Sequence, residues 1–286
     1  MKALYDVPAP AKLNLFLHIT GRREDGMHLL QSAFMLVDWH DTLHFERRAT
    51  AGITREDLST PLPADDLCVR AARALQQATG CHEGVHIVID KRLPAEAGMG
   101  GGSSDAASCL LALNRLWSLN LGQVELERIG LALGADVPFF LRGRNAWVEG
   151  IGERIQELEL PPARFVVVKP PEGLATGKIF SDPELNRSSD AAILSGFAAS
   201  PYDFGRNDLQ PVAQKLCPGV TQAIEWLGSQ GLHGRMTGSG SAVFARLPEG
   251  QLPSTPPTGW RLEVCSNMEA HPLVGWAPSD MSSVGG

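Results

Sequence analysis

The chain has 286 residues, enough for two domains with a core each, and its composition is that of a soluble globular protein. With 25 basic against 32 acidic residues, a net charge of −7 and no cluster of Lys or Arg, the balance argues against broad binding to nucleic acid or to an anionic membrane. Five scattered cysteines without a CxxC pair read as reduced thiols, and neither a secretory pattern nor a spanning apolar run is visible, so a cytoplasmic location is expected.

Near the N-terminus, PAKLNLFLHIT alternates cleanly. Ala11, Leu13, Leu15, Leu17 and Ile19 share one face of a strand, and Lys12, Asn14, Phe16 and His18 share the other. Pattern alone leaves Lys12 open between a solvated face and a functional one, although Phe16 beside it argues against full exposure. A polar turn over residues 21–31 follows, with Met27 and His28 at its end. The eight histidines never fall at metal-binding spacing. Residues 32–46 alternate again, and Trp39 to Asp41 predicts a bend between two strands. Asp65 or Asp66 is expected to cap a helix through Ala78 that Gly80 closes.

Val85, Ile87 and Ile89 predict a strand running into PAEAGMGGGSS, residues 94–104. Gly98, Gly100, Gly101 and Gly102 offer N–H groups with no side chain in the way, and Ser103 and Ser104 fall where cap residues belong. Ala106, Leu110, Leu113 and Trp117 then recur at helical spacing. Strand, glycine loop and helix N-terminus together make an anion site suited to nucleotide phosphate. No Lys follows the glycines, so this is not a Walker A loop, and triphosphate charge must be met by backbone amides, the helix end, a metal ion and cations from elsewhere.

A short helix is expected over Glu125 to Leu133. Asp136, two residues before Pro138, reads either as the N-cap of the next helix or as a base held in position by it. Asn145 to Gly152 is a strand and turn. Pro161 and Pro162 then separate a first domain, 1–160, from a second, 161–276, that opens on the strand Phe165 to Lys169. Helical patterns cover 191–199, 207–216 and 219–230. Next comes MTGSGSAVFA, 236–245, a strand, glycine-serine turn and strand with further bare N–H groups. The proline-rich 248–259 excludes a helix, and 277–286 is expected to be a disordered tail.

Taken together, PAKLNLFL, GRREDGMH, LPAEAGMGGGSSDAA, LGADVPFFL, NDL at 207–209 and MTGSGSAVF resemble the GHMP kinase superfamily, over about residues 9–246. The resemblance implies an α+β fold of two domains, the N-terminal one ribosomal-protein-like and ATP-binding, the C-terminal one ferredoxin-like, with the active site in the cleft between them. The Lys-x-Asn strand, the Gly-x-His turn and GADVPFF point to the member that phosphorylates the 2-hydroxyl of a cytidine diphosphate-linked methylerythritol, releasing ADP, in the non-mevalonate route to isopentenyl diphosphate. By the same resemblance, Lys12 and Asp136 are the catalytic pair. Pro94, Ala95, Glu96, Ala97, Gly98, Met99, Gly100, Gly101, Gly102, Ser103 and Ser104, with Lys91 nearby, hold ATP, accompanied by Mg²⁺ whose protein ligands it does not specify. Asn14, Met27, His28, Thr176 and Phe180 bind the acceptor, a cytosine lying between Met27 and Phe180. A small-molecule substrate, no nucleic acid or membrane partner, and a monomer or weak homodimer are expected. This chain departs from the family pattern in Met27 where a Tyr is usual, in Asp66 before Leu67 where Asn is usual, and in the proline-rich 248–259 where a helix is usual.

Overall fold

The computed structural model describes residues 1–278, so the expectation for the tail lies almost wholly outside the described residues. Two mixed layers face each other. The first is a sheet of β1 (Ala3–Arg22), β2 (His28–Arg48), β3 (Ile53–Asp57), β4 (Gly84–Asp90), β5 (Ala146–Gly150) and β6 (Arg154–Glu157), in the order β3-β4-β2-β5-β6 with β1 antiparallel to β2. It carries α1 (Leu67–Thr79), α2 (Gly101–Leu116), α3 (Gln123–Leu133) and α4 (Val137–Arg142). Ile87, Ile89, Phe45, Leu110, Leu113 and Phe139 meet there in one core.

The second sheet holds β7 (Arg164–Lys169), β8 (Arg235–Met236), β9 (Val243–Leu247) and β10 (Arg261–Ser266) in the order β10-β7-β9-β8, every pairing antiparallel. That is the ferredoxin-like order of fourth, first, third and second strand. Helices α5 (Thr176–Ser181), α6 (Leu194–Ala199), α7 (Gln210–Leu216) and α8 (Pro218–Gly228) lie between β7 and β8 in the chain. Between β9 and β10 there is no helix, as the prolines dictate.

Local chemistry explains most boundaries. Asp66 accepts from Cys68 N–H at 3.3 Å and Val69 N–H at 3.1 Å at the start of α1, and Gly80 ends it at φ 67°. Three expectations are corrected. The bend at 39–41 does not split a strand: β2 runs through as 21 residues, and a register slip between the pairs Pro10 with His40 and Lys12 with Leu36 absorbs two extra residues. The alternation of β1 also breaks, because one extra residue slips in between Asn14 with Phe34 and Leu17 with Ser32. Consequently Leu15 and Phe16, neighbours in sequence, are both buried in the same core. Finally, Ser103 and Ser104 do not cap α2. Its N-cap is Gly100 at φ 72°, without a side-chain bond, and both serines lie in the first turn.

Candidate active site

A cleft of about 1170 Å³ runs between the two layers. One wall is the loop from β4 to α2. Two glycines there are required by close approach as well as by φ: a Cβ on Gly98 (φ 71°) would collide with the Thr237 carbonyl, and one on Gly100 (φ 72°) would sit 2.9 Å from the Phe140 ring. The first turn of α2 has no capping side chain and its Gly101, Gly102 and Ser103 line the cleft, an arrangement that suits an anion. Pro94 through Ser103 all line the cleft. Ser104 does not; its hydroxyl is buried and donates to Pro10 C=O at 2.7 Å.

The turn after β8 supports this loop from the second sheet. Ser241 N–H donates to Glu96 C=O at 2.9 Å, and Gly238, Ser239 and Gly240 line the cleft beside it. Asn207 explains the NDL stretch, since its amide donates to Met236 C=O and Gly238 C=O, both at 2.8 Å, and so holds the turn in shape.

Lys12 enters the cleft from β1 at its register slip, with its backbone N–H on Met99 C=O at 3.0 Å. Its ammonium donates to Asn14 Oδ1, stands 3.5 Å from Asp136 Oδ2, and lies 4.4 Å from the centre of the Phe34 ring. Burial pulls the Lys12 pKa below the ordinary lysine value, while the Asp136 carboxylate pulls it back. Asn14 is spent inside: its Nδ2 donates to Ser32 Oγ at 2.9 Å and its N–H to Thr237 Oγ1 at 2.9 Å. Asp136 occupies the N-cap of α4, yet its side chain makes no capping bond. That carboxylate faces Lys12 and the cleft instead.

Behind the loop, Lys91 donates to Asp105 Oδ2 at 2.6 Å and also to Asp41. Burial alone would lower its pKa, but the two carboxylates outweigh this and raise it. Two buried acids and one cation cannot all ionise cheaply, and burial pushes Asp105 up to about 8. The trio is thus near neutral as a unit, and the lysine nitrogen stands 3.6 Å from where a Cβ on Gly101 would be.

At the other end of the cleft Met27, His28, Thr176 and Phe180 come together from two sequence regions about 150 residues apart. The His28 and Phe180 rings are 5.0 Å apart and tilted by 38°, and the Thr176 hydroxyl is 2.7 Å from that of Ser239. Ser32, Phe34, Thr237 and Arg187 support these groups without a signal in the local pattern. Each acts through a partner brought close only by folding. Among the described residues no cluster of three or more His, Cys, Asp or Glu is placed to hold a metal unaided, and no helix is long and apolar enough to cross a membrane.

A glycine loop feeding an uncapped helix, a lysine and a carboxylate facing each other across its mouth, and two α+β layers closing on both define a small-molecule kinase of the GHMP class. Residues 66–144 match the model of the GHMP kinases N terminal domain, and 191–253 that of the GHMP kinases C terminal. Relatives named 4-diphosphocytidyl-2-C-methyl-D-erythritol kinase occur in Paracidovorax citrulli, 66% identical over 98% of this chain and 100% of the relative, and in Albidiferax ferrireducens, 66% identical over 100% and 99%. A crystal structure of 4-(cytidine 5'-diphospho)-2C-methyl-D-erythritol kinase superposes with a TM-score of 0.74 at 34% identity, covering 91% of this chain and 98% of that one. The chain belongs to the 4-diphosphocytidyl-2-C-methyl-D-erythritol kinase family. Homoserine kinase from Cytophaga hutchinsonii, at 15% identity and a TM-score of 0.67, shares the fold.

Proposed function

We propose that this enzyme transfers the γ-phosphoryl group of ATP to the 2-hydroxyl of 4-diphosphocytidyl-2-C-methyl-D-erythritol, releasing ADP. That it is a kinase acting on a small-molecule alcohol follows from its family. The observation that carries the assignment of roles is the Lys12 to Asp136 pair, 3.5 Å apart at the mouth of the glycine loop. Asp136, with no cap to serve, accepts the proton of the attacking hydroxyl. Lys12, held by Asn14 and backed by the Phe34 ring, stabilises the resulting alkoxide or the charge on the transferred phosphoryl group.

Residues 94–103 cradle the triphosphate through backbone N–H groups, with Lys91 behind them on the nucleotide side. The acceptor's cytosine lies against Phe180 and Met27 and is read beside His28, with Thr176 flanking it. Mg²⁺ binds few protein groups when it travels with phosphates. The cleft fits that mode, offering the Ser103 hydroxyl, which has no protein hydrogen bond among the described residues, and the Asp136 carboxylate. Bound there, the ion would neutralise charge on the phosphate oxygens.

A coupled ADP-release assay with a panel of acceptors tests the reading. Turnover is expected with the cytidine diphosphate-linked methylerythritol and not with homoserine or mevalonate. Turnover with either of the latter would replace the acceptor named here.

A further inference from the structure

We propose that Arg187 sets the base selectivity of this enzyme by holding His28 in the tautomer that carries its proton on Nδ1, so that the site accepts cytosine and refuses uracil. The inference rests on the reading that a cytidine nucleotide is bound and read beside His28, and it adds the residue that orients that reader.

The argument starts from a contact 159 positions apart in the chain. Arg187 Nε–H donates to His28 Nε2 at 3.1 Å. A guanidinium has donors and no acceptor, so this contact requires a bare lone pair on Nε2 and leaves the imidazole proton on Nδ1. The guanidinium cannot swing away easily, because Nη1 also donates to Leu185 C=O at 3.0 Å, and Nη2 to Phe180 C=O at 3.0 Å and Asp182 C=O at 2.8 Å. Arg187 therefore fixes two things at once: the tautomer of His28 and the backbone that carries Phe180. Burial, Arg187 and Arg22 all push the His28 pKa down, which keeps the ring neutral.

Nδ1 has no protein partner among the described residues, and His28 lines the cleft. An N–H fixed there pairs with the bare N3 of cytosine. Uracil presents an N–H at the same position, so two donors would face each other and both would go unsatisfied. A plain sandwich between the Met27 thioether and the Phe180 ring has no such preference, because either pyrimidine packs there.

The test combines two measurements on the full-length protein. Long-range ¹H–¹⁵N spectra of the wild type report which ring nitrogen of His28 is protonated, and titrations with CDP and with UDP report selectivity in the wild type and in Arg187→Met. The expected result is Nδ1–H in the wild type, a clear preference for CDP, and a CDP-to-UDP affinity ratio that falls roughly tenfold to a hundredfold in Arg187→Met, the cost of an unsatisfied donor. If Arg187 were only a brace for residues 180–185, both nucleotides would weaken alike and the ratio would stand, which overturns the proposal. Should the variant fail to fold, the wild-type spectrum decides by itself, an Nε2–H tautomer being incompatible with the assignment. A wild type that prefers CDP yet holds its proton on Nε2 refutes the role of Arg187 alone, whereas one that binds neither nucleotide removes the cytidine reading and this proposal with it.

Discussion

At the scale of single residues, Asp136 has the position of a cap without its bond. An aspartate at an N-cap ordinarily earns about 1 kcal/mol through its side chain; here that bond is missing and the carboxylate turns to Lys12 at 3.5 Å. Asp136→Asn is therefore expected to leave the melting temperature unchanged while lowering kcat by roughly 10²- to 10⁴-fold, the usual contribution of a general base. Near-normal kcat in the folded variant would return phosphoryl transfer to Lys12 and positioning alone. The local pattern offered both readings of Asp136 and only the resemblance chose between them, since whether a side chain caps depends on a lysine more than a hundred positions away. For Lys12 the pattern gave a place on a strand and an open role, and the resemblance a catalytic one. What brings it to the cleft, a register slip and the Asn14 and Phe34 groups that hold it there, is a property of strand pairing that alternation does not encode.

At the scale of elements, strand, glycine loop and helix were readable because phosphate recognition by backbone needs glycines in a row and those leave a mark in composition. The brace across the cleft left a weaker mark. MTGSGS reads as any tight turn, yet a Cβ on Gly98 would strike the carbonyl of Thr237, and one on Gly238 would lie 2.5 Å from the carbonyl of Gly98. Gly98→Ala must push backbone against backbone, whereas Gly101→Ala meets only side chains at ordinary contact distance, Leu93 at 3.4 Å and the Lys91 nitrogen at 3.6 Å. The first change is expected to raise the ATP Michaelis constant and to lower the melting temperature by several degrees. The second is expected to change the melting temperature far less. Equal thermal shifts in the two variants would show that the contact between the turns does not shape the loop.

At the scale of the molecule, the described chain comes back to the layer it left. Residues after β10 return to the first layer: His271 N–H donates to Gly143 C=O at 2.8 Å, and Leu273 is buried in the first core. Proline spacing pointed to a division near 160 but carried no trace of this return. His271 is buried, with Nδ1 accepting from Leu273 N–H at 3.0 Å and Nε2 without a partner among the described residues, and burial pushes its pKa down to about 3. In the unfolded chain it takes up a proton near the ordinary histidine value, which the native state refuses. Its contribution is thus complete above about pH 6.5 and is lost as pH falls towards 3, by about 1.4 kcal/mol per pH unit. His271→Asn retains an acceptor and removes the titration. Denaturation curves at pH 7 and pH 5 are expected to show a smaller acid loss in the variant than in the wild type; parallel losses would assign acid sensitivity to other groups. A further consequence follows from β1, whose Leu13, Leu15 and Phe16 share a core with Phe165, Val167 and Phe244 while its Leu17 and Ile19 lie in the core of the second sheet. Recombination at residue 160 would not exchange one module for another, because a donor's second half would arrive against a foreign strand at both seams. On the acceptor reading proposed above, a lineage built on this scaffold is expected to gain a new acceptor by editing the rim around residues 27–28 and 176–187, and chimeras are expected to inherit neither parent's packing.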